Sequence, residues 1–195
     1  MKVGVVALQG AFREHREALD ALGVETVEVR TPAALGAIDA LILPGGESTT
    51  IGRLLTTSEL LPALGDRLED GLPVLGTCAG VILLATDVVD GRDDQPTLDA
   101  LDVTVRRNGY GTQLQSFEAP LEVRGFAAAF PGVFIRAPVL ERVGPDVEVL
   151  ATHDDQPVLV ASGPVWGTTF HPELSGDLSV HERFLHLDTR PRGER

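Results

Sequence analysis

The chain has 195 residues, 43% of them hydrophobic and 23% charged, with a formal net charge of −13 from 29 acids against 16 bases. That length suits one domain with a sizeable core, and the acidity argues against a nucleic-acid groove or an anionic membrane surface, both of which call for basic patches. One cysteine excludes an internal disulfide, no apolar stretch nears the roughly 18 residues of a membrane span, and MKVGVVALQG lacks the h-region and cleavage site of a secretory signal. A soluble, cytoplasmic protein is expected, with one domain over residues 1–187 and a polar tail over residues 188–195.

The first half alternates strand and helix patterns. Val3 to Leu8 is a nearly continuous apolar run, as in a strand of a parallel sheet covered on both faces. After Gln9-Gly10 a helical stripe of Phe12, Leu19 and Leu22 has Arg13, Glu14, Arg16, Glu17 and Asp20 facing away, and Gly23 ends it. Val24–Val29 and Ala40–Leu43 read as strands, followed by a tight Pro44-Gly45-Gly46 turn. Ser58 reads as the N-cap of a helix carrying Leu61, Leu64 and Leu68, stopped at Gly71. Val74-Leu75 is a strand entering "GTCAG", and Ala79–Ala85 is helix-like.

From about Val103 the period becomes two. Val103/Val105, Leu121/Val123, Val147/Val149 and Val158/Val160 predict shorter, partly antiparallel strands, and Val180, Phe184 and Leu187 mark a closing helix. The expected fold is α/β: a three-layer sandwich with a mostly parallel central sheet, helices on both faces, and a partly antiparallel, strand-rich second half.

The one cysteine, Cys78, sits in Gly-x-Cys-x-Gly between a strand and a helix, the form of a nucleophile elbow. There a helix dipole favours a thiolate. A lone cysteine is ordinarily a small core residue, but this spacing and context favour the nucleophile. Of five histidines, His15, His181 and His186 read as solvated helix or tail positions, and His153 precedes Asp154-Asp155 in a hairpin turn. His171, in "TTFHPEL", stands at a strand end with Glu173 two residues on, so an extended backbone would point both side chains one way. A base and its orienting carboxylate are what a thiol nucleophile needs. "LPGGESTT" offers bare N–H groups for an oxyanion or amide, with Ser48 or Thr49 capping the next helix; it lacks the Gly-Lys-Ser/Thr of a phosphate loop.

With these features the chain resembles the class I (triad) glutamine amidotransferases, and within them the glutaminase subunits of pyridoxal 5'-phosphate synthase. "ALQGAFREH", "LILPGGESTT", "GTCAG", "RNGYG", "SFEAPL", "GVFIRAP" and "FHPEL" follow the family's order from residue 7 to 174. The resemblance implies hydrolysis of L-glutamine by a Cys78–His171–Glu173 triad. It further implies an oxyanion hole at the N–H groups of Gly46 and Ala79, helped by the Gln9-Gly10 turn. A glutamine site at Gly46, Glu47, Ser48, Arg107, Ile135 and Arg136 also follows from it. Only one of Arg106 and Arg107 can face the site from a strand, and the "RN" motif selects Arg107. No metal or cofactor is expected.

The resemblance also implies a partner: a β/α-barrel synthase subunit that receives the ammonia, in an assembly of twelve plus twelve subunits. The partner would contact the first helix and the Gln9 turn and switch on glutamine hydrolysis. Three departures stand out: a proline inside the "SFEAPL" strand, an elbow helix running on into "TDVVDGRDDQ", and a short arginine-bearing C-terminus. Two other readings use the same residues: a different triad glutaminase or γ-glutamyl hydrolase, and an acidic binding module with a vestigial elbow.

Overall fold

The computed structural model describes residues 1–92, 94–107 and 116–187. The polar tail and residues 108–111 of "RNGYG" lie outside the described residues. In chain order the elements are β1 (Lys2–Val6), α1 (Phe12–Ala21), β2 (Glu25–Val29), α2 (Pro32–Leu35), β3 (Ala40–Leu43), α3 (Ser48–Thr57), α4 (Leu60–Glu69), β4 (Val74–Thr77) and α5 (Ala79–Leu84). Then follow β5 (Ala85–Val89), β6 (Leu101–Arg106), β7 (Ser116–Leu121), β8 (Phe130–Ile135), β9 (Val139–Val143), β10 (Glu148–His153), β11 (Gln156–Ser162), β12 (Val165–Thr168) and α6 (Ser179–Leu187).

Seven strands form the central sheet in the order β10-β11-β12-β4-β3-β1-β2. The pairs β12–β4, β4–β3, β3–β1 and β1–β2 are parallel, and β10–β11–β12 is an antiparallel meander. Alternate side chains of the central strands enter two separate cores. Leu41, Leu43 and Val74 pack with Ile51, Leu55, Leu64 and Val81 of α3, α4 and α5 on one face. On the other, Val3, Val5, Ile42 and Leu75 pack with Leu19 of α1 and Val180 and Phe184 of α6. Burial on both faces is why β1 and β3 read as unbroken apolar runs rather than alternating ones. The expected α/β sandwich is the observed one.

Local expectations fail where turn chemistry was misassigned. Ser58 does not cap α4: its hydroxyl donates to the Leu54 carbonyl at 2.7 Å and closes α3, while Glu59, at φ 60°, makes the corner into α4. Neither Ser48 nor Thr49 caps α3. The Glu47 carboxylate does, accepting from the Thr49 and Thr50 N–H groups at 3.1 and 2.7 Å. The elbow helix also stops at Leu84. Ala85 turns extended, and Ala85–Val89, rich in β-branched residues, pairs in parallel with β6 as β5.

Pro120 is tolerated because, among the described residues, β7 pairs only with β8, in a two-stranded ribbon where Pro120 lies opposite Pro131. Each strand of such a ribbon is an edge, the setting in which a missing N–H is harmless. The hairpin at His153 is present as expected, turned by Asp154 at φ 48° and Asp155 at φ 63°.

The cysteine turn is packed so closely that glycine is required beside it. A Cβ on Gly80 would lie 2.1 Å from the Leu43 carbonyl oxygen, and one on Gly76 would lie 2.7 Å from the Gly80 carbonyl carbon. Both obstacles are backbone and cannot swing away. Gly80→Ala is therefore expected to destabilise the chain by about 1–3 kcal/mol, as overpacking does. Urea denaturation checks this, and an unchanged midpoint would contradict the packing described.

Candidate active site

The parallel strands bring their carboxyl ends to one edge of the sheet. Gln9 follows β1, Gly45 to Ser48 follow β3, Cys78 follows β4, and His171 follows β12. This edge is where open α/β sheets place their ligands. A cleft of about 340 Å³ opens there, lined by Gly46, Glu47, Ser48, Cys78, Ala79, Arg107, Ile135, Arg136 and His171, together with Gln9, Ile82 and Pro138. Every residue the resemblance placed in the site lines this cleft except Glu173, which lies behind His171, and Gly10 of the turn after β1. Ile82 lies outside the quoted motifs, and Pro138, the last residue of "GVFIRAP", was not singled out as a site residue.

Cys78 holds φ 49°, ψ −102°, a conformation that crowds a Cβ and that persists only where the surroundings enforce it. Here the enforcement comes from both sides of the turn. The Cys78 N–H donates to the Thr168 carbonyl on the neighbouring strand at 2.8 Å, and α5 begins at the next residue. The N–H of Ala79 belongs to the first turn of that helix, whose donors have no intrahelical partner. The Cys78 side of the loop meets the imidazole across Gly45: a Cβ there would lie 2.4 Å from His171 Cε1 and 3.3 Å from Cys78 Cβ. Only glycine fits between them.

His171 is not on extended backbone. β12 ends at Thr168, and Pro172–Leu174 form a single 3-10 turn with His171 at its start. The two-residue spacing still brings base and carboxylate together, but by a tight turn rather than by strand alternation. His171 Nδ1 bonds Glu173 Oε1 at 2.7 Å. That leaves Nε2 for the cleft side. Burial alone would lower the His171 pKa, but contact with the Cys78 thiol and the Glu173 carboxylate outweighs it and raises it to about 10. The imidazole is thus the favoured place for a proton leaving Cys78.

Glu173 has no solvent-exposed side-chain surface. Burial would raise its pKa, yet the neighbouring His15 and His171 reverse the effect and hold it below 4.5. His15 and His181, read from the sequence as solvated, are fully buried. His15 Nδ1 lies 2.9 Å from His181 Nε2, and His15 Nε2 lies 3.0 Å from Thr77 Oγ1 and 3.3 Å from Glu173 Oε2. A signal for His15 was present: it stands three residues after Phe12 and four before Leu19, inside the apolar stripe. His181 likewise neighbours Val180 on the buried side of α6.

The loop after β3 is held by the turn after β1. The Gly45 carbonyl accepts from the Ala11 N–H at 2.9 Å, and the Glu47 N–H donates to Gln9 Oε1 at 2.9 Å. Arg107 donates to Glu47 Oε1 at 2.9 Å. Burial works against ionisation of Glu47, but the bonds from Thr50 and Thr49 and the charge of Arg107 outweigh it and keep its pKa lowered. Arg106, one residue away, turns outward to Asp90 and Glu141. Ser48 Oγ is buried without a hydrogen-bond partner, and Arg136 takes φ 45° on the rim.

Fold and cleft together define a class: α/β proteins with a thiol at a strained strand–helix elbow, backed by an imidazole and a buried carboxylate. The chain belongs to the SNO glutamine amidotransferase family, whose profile matches residues 5–188. A Mycobacteroides abscessus protein named pyridoxal 5'-phosphate synthase subunit PdxT is 52% identical over 185 residues, spanning 95% of this chain and 96% of its own. A protein of that name from Deinococcus radiodurans is 52% identical over 190 residues, covering 96% of this chain and 97% of its own. A glutamine amidotransferase of known crystal structure superposes with a TM-score of 0.91 at 52% identity, over 95% of this chain and 98% of that one. PurLQS from Thermotoga maritima, at 20% identity and a TM-score of 0.64, shares the fold.

Because the thiol is among the groups that raise the His171 pKa, Cys78→Ala should lower it by about one unit or more. NMR titration of the His171 ring protons measures this. Identical midpoints in the two proteins would show that the imidazole does not sense the sulfur.

Proposed function

We propose that the chain hydrolyses L-glutamine to L-glutamate and ammonia as the glutaminase subunit of a pyridoxal 5'-phosphate synthase. The observation that carries this reading is the convergence of Cys78 and His171 on one cleft of glutamine-accommodating size, with the buried Glu173 bonded to the imidazole from behind. Family membership and the relatives' shared name support it.

Cys78 Sγ attacks the side-chain amide carbon of glutamine, and its proton goes to His171 Nε2. The tetrahedral oxyanion is held by the N–H groups of Gly46 and Ala79, donors of a kind worth about 10²–10³ in rate each. His171 then protonates the departing nitrogen, which leaves as ammonia with a thioester at Cys78. Water, deprotonated by the same imidazole, cleaves the thioester to glutamate. Glu173 stabilises the imidazolium formed at each stage. The Glu47–Arg107 pair presents both charges that a zwitterionic amino acid needs, Arg107 and Arg136 offer forked donors to its carboxylate, and the unpartnered Ser48 hydroxyl is available for a further bond. Ile135 supplies a wall beside the sulfur, its carbonyl 4.0 Å from Sγ.

The ammonia passes to a β/α-barrel synthase subunit in a complex of twelve plus twelve chains, working in the cytoplasm. The partner docks on α1 and the Gln9 turn. Gln9 and Ala11 hold the Gly45–Glu47 loop, so contact there reaches the oxyanion donors directly. No helix among the described residues is long and apolar enough to cross a membrane.

Glutamate release at fixed glutamine, with the synthase subunit titrated from zero to excess, tests the reading. The rate should be low without partner and rise with it, vanish in Cys78→Ala, and fall by about 10²-fold or more in Glu173→Gln. A full rate at zero partner would leave an autonomous glutaminase or γ-glutamyl hydrolase. Hydrolysis retained by Cys78→Ala would remove the thiol from the nucleophile's role.

A further inference from the structure

Behind the cleft a chain of polar groups runs through the apolar core on the α1 and α6 side of the sheet. Glu173 uses Oε1 for His171 and turns Oε2 towards His15 Nε2, 3.3 Å away. His15 then meets His181 at 2.9 Å, and His181 Nδ1, at the far end, is buried without a hydrogen-bond partner.

That unpartnered end assigns the protons. A buried N–H without an acceptor is rarely tolerated, and a bare ring nitrogen is the milder vacancy. His181 therefore carries its proton on Nε2 and donates to His15 Nδ1. His15, whose Nδ1 is the acceptor, carries its own proton on Nε2, which is bonded to Thr77 Oγ1 at 3.0 Å and lies 3.3 Å from Glu173 Oε2, an oxygen buried without a hydrogen-bond partner of its own. The opposite arrangement would strand an N–H at His181 and set the lone pair of His15 Nε2 against a carboxylate oxygen. Burial, reinforced by the neighbouring His15, lowers the His181 pKa to about 3, which agrees with a neutral ring.

We propose that His15, its tautomer set by His181, is a positioning residue for the hydrolytic site: its Nε2–H, 3.3 Å from a Glu173 Oε2 that has no hydrogen-bond partner among the described residues, holds the carboxylate ionised by its positive edge and turned so that Oε1 meets His171. The proposal rests on the glutaminase reading only for its kinetic consequence. The titratable groups facing Glu173 are His171 on its own turn, with Cys78 beyond it, and His15 from α1, with His181 of α6 and Glu14 of α1 adjoining His15. If the donor at His15 is lost, Glu173 holds a proton to higher pH. Below that pH the imidazolium loses its carboxylate, so the thiolate is lost as well.

Two amide substitutions separate the two ring nitrogens. His15→Gln extends an N–H to where Nε2 stood, whereas His15→Asn reaches only the Nδ1 position and can still accept from His181. Both keep the site polar and filled. The first readout is the rate of Cys78 alkylation by iodoacetamide against pH, which needs neither glutamine nor partner. The second is kcat and KM for glutamine with the synthase subunit in excess.

His15→Asn is expected to move the alkylation midpoint up by about one unit and to lower kcat about tenfold or more, with KM within about twofold. His15→Gln should keep the wild-type midpoint and at least about a third of kcat. Equal behaviour of the two variants, or equal loss of fold, would make His15 merely structural and overturn the proposal. If wild type hydrolyses no glutamine with its partner, the glutaminase reading falls, and the alkylation midpoints still decide the role of His15.

Discussion

An ionised carboxylate with no exposed surface is the constraint around which this protein is arranged. Removing a carboxylate from water is expensive by several kcal/mol unless partners replace the lost hydration. Glu173 finds a hydrogen bond at Oε1, from His171, and at Oε2 only the nearby His15 imidazole, 3.3 Å away and not hydrogen-bonded to it. Those two imidazoles come from opposite ends of the chain, one after the last strand of the central sheet and one from its first helix. The pairing therefore requires α1 to be docked on the sheet before the site is complete.

Sheet topology does the remaining work. Because β1, β3, β4 and β12 run parallel and adjacent in the order β12-β4-β3-β1, four successive loops are delivered to one edge with fixed spacing. The elbow conformation of Cys78 is sustained by a rigid frame: an N–H anchored to Thr168, a glycine on either side, and Gly45 packed against the imidazole. The glycine-rich loop, in contrast, is held through a few bonds to Gln9 and Ala11. The cysteine turn is thus rigid, and the glycine-rich loop beside it is lightly tethered.

The parts of this arrangement carried by short-range patterns were legible in the sequence. The unbroken apolar runs of β1 and β3, the Gly-x-Cys-x-Gly elbow and the His-Pro-Glu turn each have a local cause. What stayed hidden depended on tertiary neighbours. His15 and His181 stand among charged residues, which masked their place on the apolar stripes of α1 and α6, and the packing of those helices on the sheet shows both buried. Pro131 and Gly132 stand within β8, opposite Pro120 and Ala119 of β7, a pairing that depends on residues distant in sequence. Glu47 took the capping role expected of Ser48 or Thr49 because a glutamate side chain is long enough to accept from the N–H groups of Thr49 and Thr50. The strand at Ala85 follows from pairing with β6, which no window around the elbow contains.

The central claim is that the buried Glu173 is ionised because imidazoles surround it. Carbon-13 NMR of glutamate side-chain carboxyls, with the Glu173 resonance assigned by its loss in Glu173→Gln, reads that state directly as pH is lowered. The account predicts a Glu173 carboxyl that stays ionised down past 4.5, its ordinary value. A carboxyl that takes up its proton near pH 6 or above, as burial without partners would dictate, would contradict it.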